Sequence, residues 1–523
     1  MVAKGNRLFS NRRSLTIVCV VLFLTFLDNT VVSVILSNIQ SSLSAGVQDL
    51  QWIVDAYMLI FAVFMLTGGT LGDMWGRKKV LLSGVALFIA GSLLAAFSDT
   101  VGMLVAGRIV MGLGAAASEP GTLSMIRHLY PERAARSRAL GVWAAVSGVA
   151  LAFGPIIGGV IIGFYSWRGV FIFSAILGLI AFIAGWLYLP ESSDPKGRKI
   201  DGAGLVAGGL AISGVVGALI SGEESGYGGG WIVFLFVGAL ISAIAFVIIE
   251  MKRKDPVLPL KYFKRLQFSI ANIVAFTTNF GIFAVFFFVA LYLELIANFS
   301  GYDIALAFLA MTAAIVTGAL LAGRWNAVHH TTQLTIAGCL ISGGGIFIVN
   351  SVIQPNISAG TLAWALVISG FGFGISLVTM TSSVLNIVPQ ERSGMAASTV
   401  NTFRELGGVF GVAVLGSIVN AQLTTKLAAQ LKVLGLPANF QSFAVYAITH
   451  GGNTPPGVSI SPTILVKHAQ LVTQVTNAAY AAFGSGLTIA LNIAGIMLVG
   501  TGLVCGVIYL LRRNDFTDDP III

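Results

Sequence analysis

Apolar residues run through this chain in blocks too long and too evenly apolar for the helices of a soluble core. About 20 consecutive apolar residues suffice to cross a bilayer as a helix. Blocks of that kind lie near 14–39, 51–71, 80–98, 101–123, 138–163, 168–189, 203–220 and 231–249. Six more lie near 268–292, 302–323, 333–352, 361–385, 398–420 and 483–511. The pattern predicts an all-α polytopic membrane protein with fourteen transmembrane helices. It divides into a six-helix bundle over 1–190, a linker with two inserted helices over 191–266, and a second six-helix bundle over 267–523. The polar breaks at 190–201, with Pro195 and Gly197, and at 250–265, with Pro256 and Pro259, read as solvated connectors. An outer loop is expected at about 421–480, whose amphipathic stretches 423–434 and 468–482 would lie on the membrane surface or cap the outer mouth.

Composition agrees with this division and narrows it. Hydrophobic residues make up 56% of the chain and charged residues 10%, against about 25% charged in soluble domains. The 62 glycines suit helices that approach one another closely in lipid. The net charge of +9 does not point to nucleic acid, because the lysines and arginines gather in alternate loops. Arg12, Arg13, Arg77, Lys78, Lys79, Arg127, Arg133, Lys196, Lys252, Lys264 and Arg512 fall on one side, whereas Arg168, Lys426, Lys432 and Lys467 fall on the other. By the positive-inside rule both termini are cytoplasmic in the plasma membrane. Cys19, Cys339 and Cys505 sit singly inside apolar blocks and suggest neither disulfides nor a metal site. Nothing implies a cofactor, and a nucleotide-binding loop that would power ATP-driven transport is missing from the sequence. A monomer is expected.

A few charged residues lie inside the apolar blocks, where they are costly and therefore read as functional by default. Asp28 is near the middle of the first block; the alternative is a packing aspartate satisfied by neighbouring hydroxyls. Arg108 in the fourth block lies at a depth within about 6 Å of Asp28 at about 1.5 Å rise per residue, so a direct or water-bridged pair is predicted. Glu119 follows Arg108 by eleven residues, which at about 100° per residue returns it to the same helix face about 16 Å away. It reads as a second proton or cation site, or as one partner of an internal salt bridge, with Pro120 beside it as a candidate kink. Asp55, flanked by Trp52 and Tyr57, suits a cation held by charge and ring faces, or equally an interfacial aromatic belt. Glu294, Phe283 and Phe287 are further candidates for a substrate cavity. Arg404 and Glu405 are expected at the cytoplasmic rim of the thirteenth span.

The segment Gly69-Thr70-Leu71-Gly72-Asp73-Met74-Trp75-Gly76-Arg77-Lys78-Lys79 is a short basic turn, and it resembles the signature loop of the major facilitator superfamily. Arg108 with Gly112 and Gly114 resembles the helix-four motif of that family, and Gly154-Pro155-Ile156-Ile157-Gly158-Gly159 resembles the motif marking its antiporters. With Leu27-Asp28-Asn29-Thr30 in the first span, the chain is similar to the fourteen-helix drug:proton antiporters. Ala150 stands where the antiporter motif usually has glycine, and Ser33 and Ser37 stand where the first helix commonly has asparagine and proline. The resemblance implies a cytoplasmic latch at Gly69, Asp73, Gly76 and Arg77, a bending and packing role for Gly154, Pro155, Gly158 and Gly159, and proton coupling through Asp28, Arg108, Glu119 or Asp55. The implied activity is export of an amphipathic, cationic small molecule in exchange for protons. A same-fold exporter of a lipid, siderophore or self-made antibiotic and a non-transporting membrane sensor remain alternatives; an enzyme is not expected.

Overall fold

A computed structural model describes residues 2–45, 47–193, 201–253, 256, 258, 260–297, 299, 301–327, 331–433 and 469–511. All regular elements among them are helical. We number the long helices α1 (Val2–Leu43), α2 (Val47–Trp75), α3 (Arg77–Ala96), α4 (Val101–Leu129), α5 (Arg133–Phe164), α6 (Arg168–Tyr188), α7 (Gly202–Ser225) and α8 (Gly230–Lys252). Then come α9 (Leu266–Phe283, continued by a π-helical stretch Ala284–Val289 and by Ala290–Leu295), α10 (Gly301–Trp325), α11 (Thr331–Val352), α12 (Ala359–Ile387), α13 (Ser393–Val433) and α14 (Ala469–Leu511). Thirteen are long and apolar enough to cross a membrane outright, and α5 makes a fourteenth as a bent pair whose segments, Arg133–Leu151 and Ile156–Phe164, meet at 42°.

Helices α1 to α6 pack among themselves, as do α9 to α14, and the two groups meet along α2 against α13 and α5 against α10. Helix α7 leans on both sides of this seam, touching α2 and α13, while α8 packs on α7 and turns Phe234, Leu240, Ile241 and Ile244 outward. Such outward apolar residues are the surface a lipid-facing helix requires. The start of α7 is fixed by Asp201, whose carboxylate accepts from Gly204 N at 3.1 Å and lies 3.4 Å from Arg253 at the end of α8.

Two sequence expectations differ from the fold. The basic turn after α2 is not a loop of several residues: helix runs to Trp75 and resumes at Arg77, with Gly76 alone between them. Gly76 has φ +115°, a conformation that residues with a Cβ rarely adopt, so glycine is required there. The stretch beginning at Leu423 is not a separate surface helix, because α13 continues through it to Val433. Leu423, Leu427 and Leu431, four residues apart, form one buried face, and α13 and α14 pack on each other where Gly486 meets Val419. Residues 434–468 lie outside the described set.

Candidate functional site

Membrane helices without a hydrophobic drive to associate pack where small side chains let backbones touch. Gly112 is such a contact: a Cβ there would stand 2.8 Å from the Tyr57 carbonyl, so α4 is pressed against α2. That approach sets the Arg108 guanidinium 4.4 Å from the centre of the Tyr57 ring, with its Nε donating to the Ile53 carbonyl at 2.8 Å and Nη1 donating to Asp28 Oδ2. Asp28 and Arg108 are both buried, and Asp28 Oδ1 has no hydrogen-bond partner among the described residues. The juxtaposition expected from helix depth is therefore present. Tyr57 is fully buried and donates to the Thr25 carbonyl at 3.2 Å, so it supports this pair rather than lining an open cavity.

The antiporter-like motif is joined to the same stretch of α1. A proline at 155 cannot donate to the carbonyl of Leu151 four residues earlier. Thr30 Oγ1 fills the gap, donating to the Leu151 carbonyl at 3.0 Å, next to the 42° bend of α5. A Cβ on Gly154 would stand 2.0 Å from Thr30 Oγ1 and 2.9 Å from Val31 N, whereas one on Gly159 would meet nothing within 4 Å. Gly158 is intermediate, its Cβ falling 3.1 Å from Val31 Cγ2. Gly154→Val is therefore expected to cut transport at least tenfold by prising α5 from α1, whereas Gly159→Ala keeps wild-type transport, both at matched membrane expression.

The latch motif closes the seam on the side of the basic loops. Asp73 accepts from Gly394 N at 2.9 Å and Met395 N at 3.0 Å, the free amides at the start of α13, where a carboxylate also meets the positive end of the helix dipole. Arg77 pairs with Asp73 at 3.0 Å and donates to the Gln390 carbonyl at 2.6 Å. Arg77 is buried in the seam between the two groups of helices. Gly69 and Gly394 touch backbone to backbone, as do Gly141 on α5 and Gly323 on α10. Arg136 to Asn386 Oδ1 at 2.5 Å and Asn326 to Ser137 at 3.3 Å, neither expected from the sequence, tie the second contact line.

Glu119 crosses the seam. Its Oε1 accepts from Arg404 at 2.6 Å and from Asn401 at 3.2 Å, both on α13. The expectation of Arg404 at the rim is corrected, because α13 starts at Ser393 and places Arg404 eleven residues inside, about 16 Å along the helix. A buried arginine requires a carboxylate, and Glu119 supplies it, but the apolar pattern carried no sign of how deep Arg404 lies. Among the remaining candidates, Asp55 is partly buried, Trp52 is 48% exposed, Phe283 is partly buried and Phe287 is 49% exposed. The side chain of Glu294 lies outside the described set.

Two packed six-helix groups meeting along a glycine-lined seam, with charges paired at depth, form the fold of a secondary transporter. Residues 18–412 match the Major Facilitator Superfamily, and the chain belongs to that family of multi-pass membrane transporters. It is similar to the methylenomycin A resistance protein of Bacillus subtilis (strain 168), 31% identical over 78% of this chain and 88% of that one. Along almost its full length it is similar to the tetracenomycin C resistance and export protein of Streptomyces glaucescens, 26% identical over 97% of this chain and 92% of that one. It is likewise similar to the multidrug efflux pump LfrA of Mycolicibacterium smegmatis, 27% identical over 95% and 96%. Among solved structures, the proton:xylose symporter XylE has the same fold at TM-score 0.58 and 14% identity, covering 96% of this chain and 95% of that one.

Proposed function

We propose that this protein exports amphipathic, positively charged compounds through the cell membrane in exchange for protons. The observation that carries the reading is the buried Asp28–Arg108 pair, one carboxylate oxygen of which is unpartnered among the described residues. The names of the relatives, which include resistance, export and efflux proteins, supply the direction. A proton arriving from outside on Asp28 removes the negative charge that compensates Arg108. The loosened pair then lets α1 and α4 shift, and α1 is tied to the bend of α5 through Thr30. With the positive-inside orientation, the closed seam is the cytoplasmic one, and the next step after cargo release and proton entry is its opening. Coupling requires only that each state differ in affinity for proton and cargo.

Inverted membrane vesicles with an imposed acidic interior test the reading. Adding ethidium to the outside is expected to release protons from vesicles carrying the wild-type protein and not from empty ones. A well-folded wild type that releases none overturns proton exchange for organic cations and shifts the cargo toward uncharged antibiotics.

A further inference from the structure

Glu119, Phe26 and Trp143 come from α4, α1 and α5, all in the first group of helices, and together they enclose the guanidinium of Arg404 from the second group. The arginine carbon centre lies 4.9 Å from the Phe26 ring centre and 5.9 Å from that of Trp143. Trp143 is held in place by its ring N–H, which donates to Thr122 Oγ1 at 3.0 Å, and that hydroxyl donates to the Glu119 carbonyl at 2.6 Å. Glu119 and Trp143 are fully buried, and Glu119 Oε2 has no hydrogen-bond partner among the described residues. A carboxylate flanked by aromatic faces is a site for a delocalised organic cation. In this conformation its occupant is a side chain.

Resting on the exporter reading above, we propose that Glu119, Phe26 and Trp143 form the cytoplasm-facing binding site for the cationic cargo, and that Arg404 is a resident cation which the cargo replaces. When α13 withdraws from α2 and the Asp73 latch opens, Arg404 leaves with it. The arginine is not stranded, because Glu405 on its own helix stays within 3.2 Å. The vacated carboxylate and rings then meet cargo entering from the basic side. Cargo and closed seam exclude each other at this box, so the seam closes again with Arg404 seated only after the cargo has moved on. Exclusion of one occupant by the other ties occupancy of the box to the state of the seam that the Asp73 latch closes.

The test is binding of tetraphenylphosphonium, a permanently charged probe, to the purified full-length protein by equilibrium dialysis. Glu119→Gln is expected to weaken binding at least tenfold and Glu119→Asp by less than threefold. Arg404→Gln, which removes the competing cation, is expected to tighten binding about threefold or more. Opposite signs at the two partners are the signature, because a purely structural ion pair would be damaged alike from either side. Size-exclusion profiles identify unfolded variants, and the charge-neutral pair Glu119→Gln with Arg404→Gln keeps the test decisive if either single variant aggregates, its binding being expected as weak as that of Glu119→Gln. Wild-type affinity in Glu119→Gln, or in that neutral pair, overturns the site and leaves the exporter reading standing. A wild-type protein that does not bind the probe overturns the cationic-cargo reading itself.

Discussion

Asp28→Asn is expected to reduce ethidium-driven proton release in inverted vesicles to below a tenth of wild type at matched expression. Asparagine keeps the size and one acceptor oxygen for Arg108 but has no charge and neither takes up nor releases a proton. Breaking a buried ion pair by neutralising one partner also costs about 3–5 kcal/mol, because the other charge remains buried without compensation. The single variant should therefore lose thermal stability in detergent as well as exchange. Pairing it with Arg108→Gln removes both charges, and this double variant is expected to recover stability without recovering exchange. Exchange by the double variant would show that the pair is structural and that another acid carries the proton.

Gly394→Val is expected to hold the basic side of the transporter open. A Cβ at this position would stand 2.3 Å from the Gly69 carbonyl and 2.8 Å from the Asp73 carboxyl carbon, distances that real Cβ atoms do not show. Helix α13 must then move away from α2, and the Asp73 bonds to Gly394 N and Met395 N and the Arg77 bond to the Gln390 carbonyl are lost together. Export should fall at least tenfold. A cysteine at Ser398, buried in the closed seam, should become reactive to a membrane-impermeant maleimide applied from the basic side. Cys19, Cys339 and Cys505 are buried and give a low background. Gly72→Ala, whose Cβ meets nothing within 4 Å, is the control expected to behave as wild type. Full export by Gly394→Val would show that this contact line is not part of the cycle.

The two ion pairs divide the labour of one helix. Arg108 and Glu119 stand on one face of α4, about 16 Å apart along its axis, with opposite charges. Arg108 is satisfied within the first group of helices by Asp28, whereas Glu119 is satisfied across the seam by Arg404. A separation of the two groups would part the partners of the second pair and not those of the first. The proposed cycle thus places proton binding on Asp28 and cargo occupancy at Glu119 on this one helix.

The Asp28–Arg108 pair was legible in the chain because depth along two helices is fixed by residue count, and charges at matching depth in lipid must find each other. The Gly76 turn was legible in kind but not in length, since nothing in the apolar pattern marks where helix resumes on the aqueous side. The depth of Arg404 is hidden for the same reason: the apolar run begins at 398, whereas the helix begins at Ser393 and packs Gly394 and Ser398 against Gly69 in the seam.

By itself the sequence determined an all-helical membrane protein, the spans, the asymmetry of basic loops and the motifs that mark the family, because hydropathy and helix period are local and bilayer thickness is constant. The tertiary structure alone decided that Asp73 caps a helix more than 300 residues away, that Thr30 satisfies the carbonyl freed by Pro155, and that Glu119 reaches Arg404 across the seam. Those contacts depend on which helix faces which, and a periodic pattern of apolar residues is nearly the same on every face of a helix bathed in lipid on one side and glycine-packed on the other.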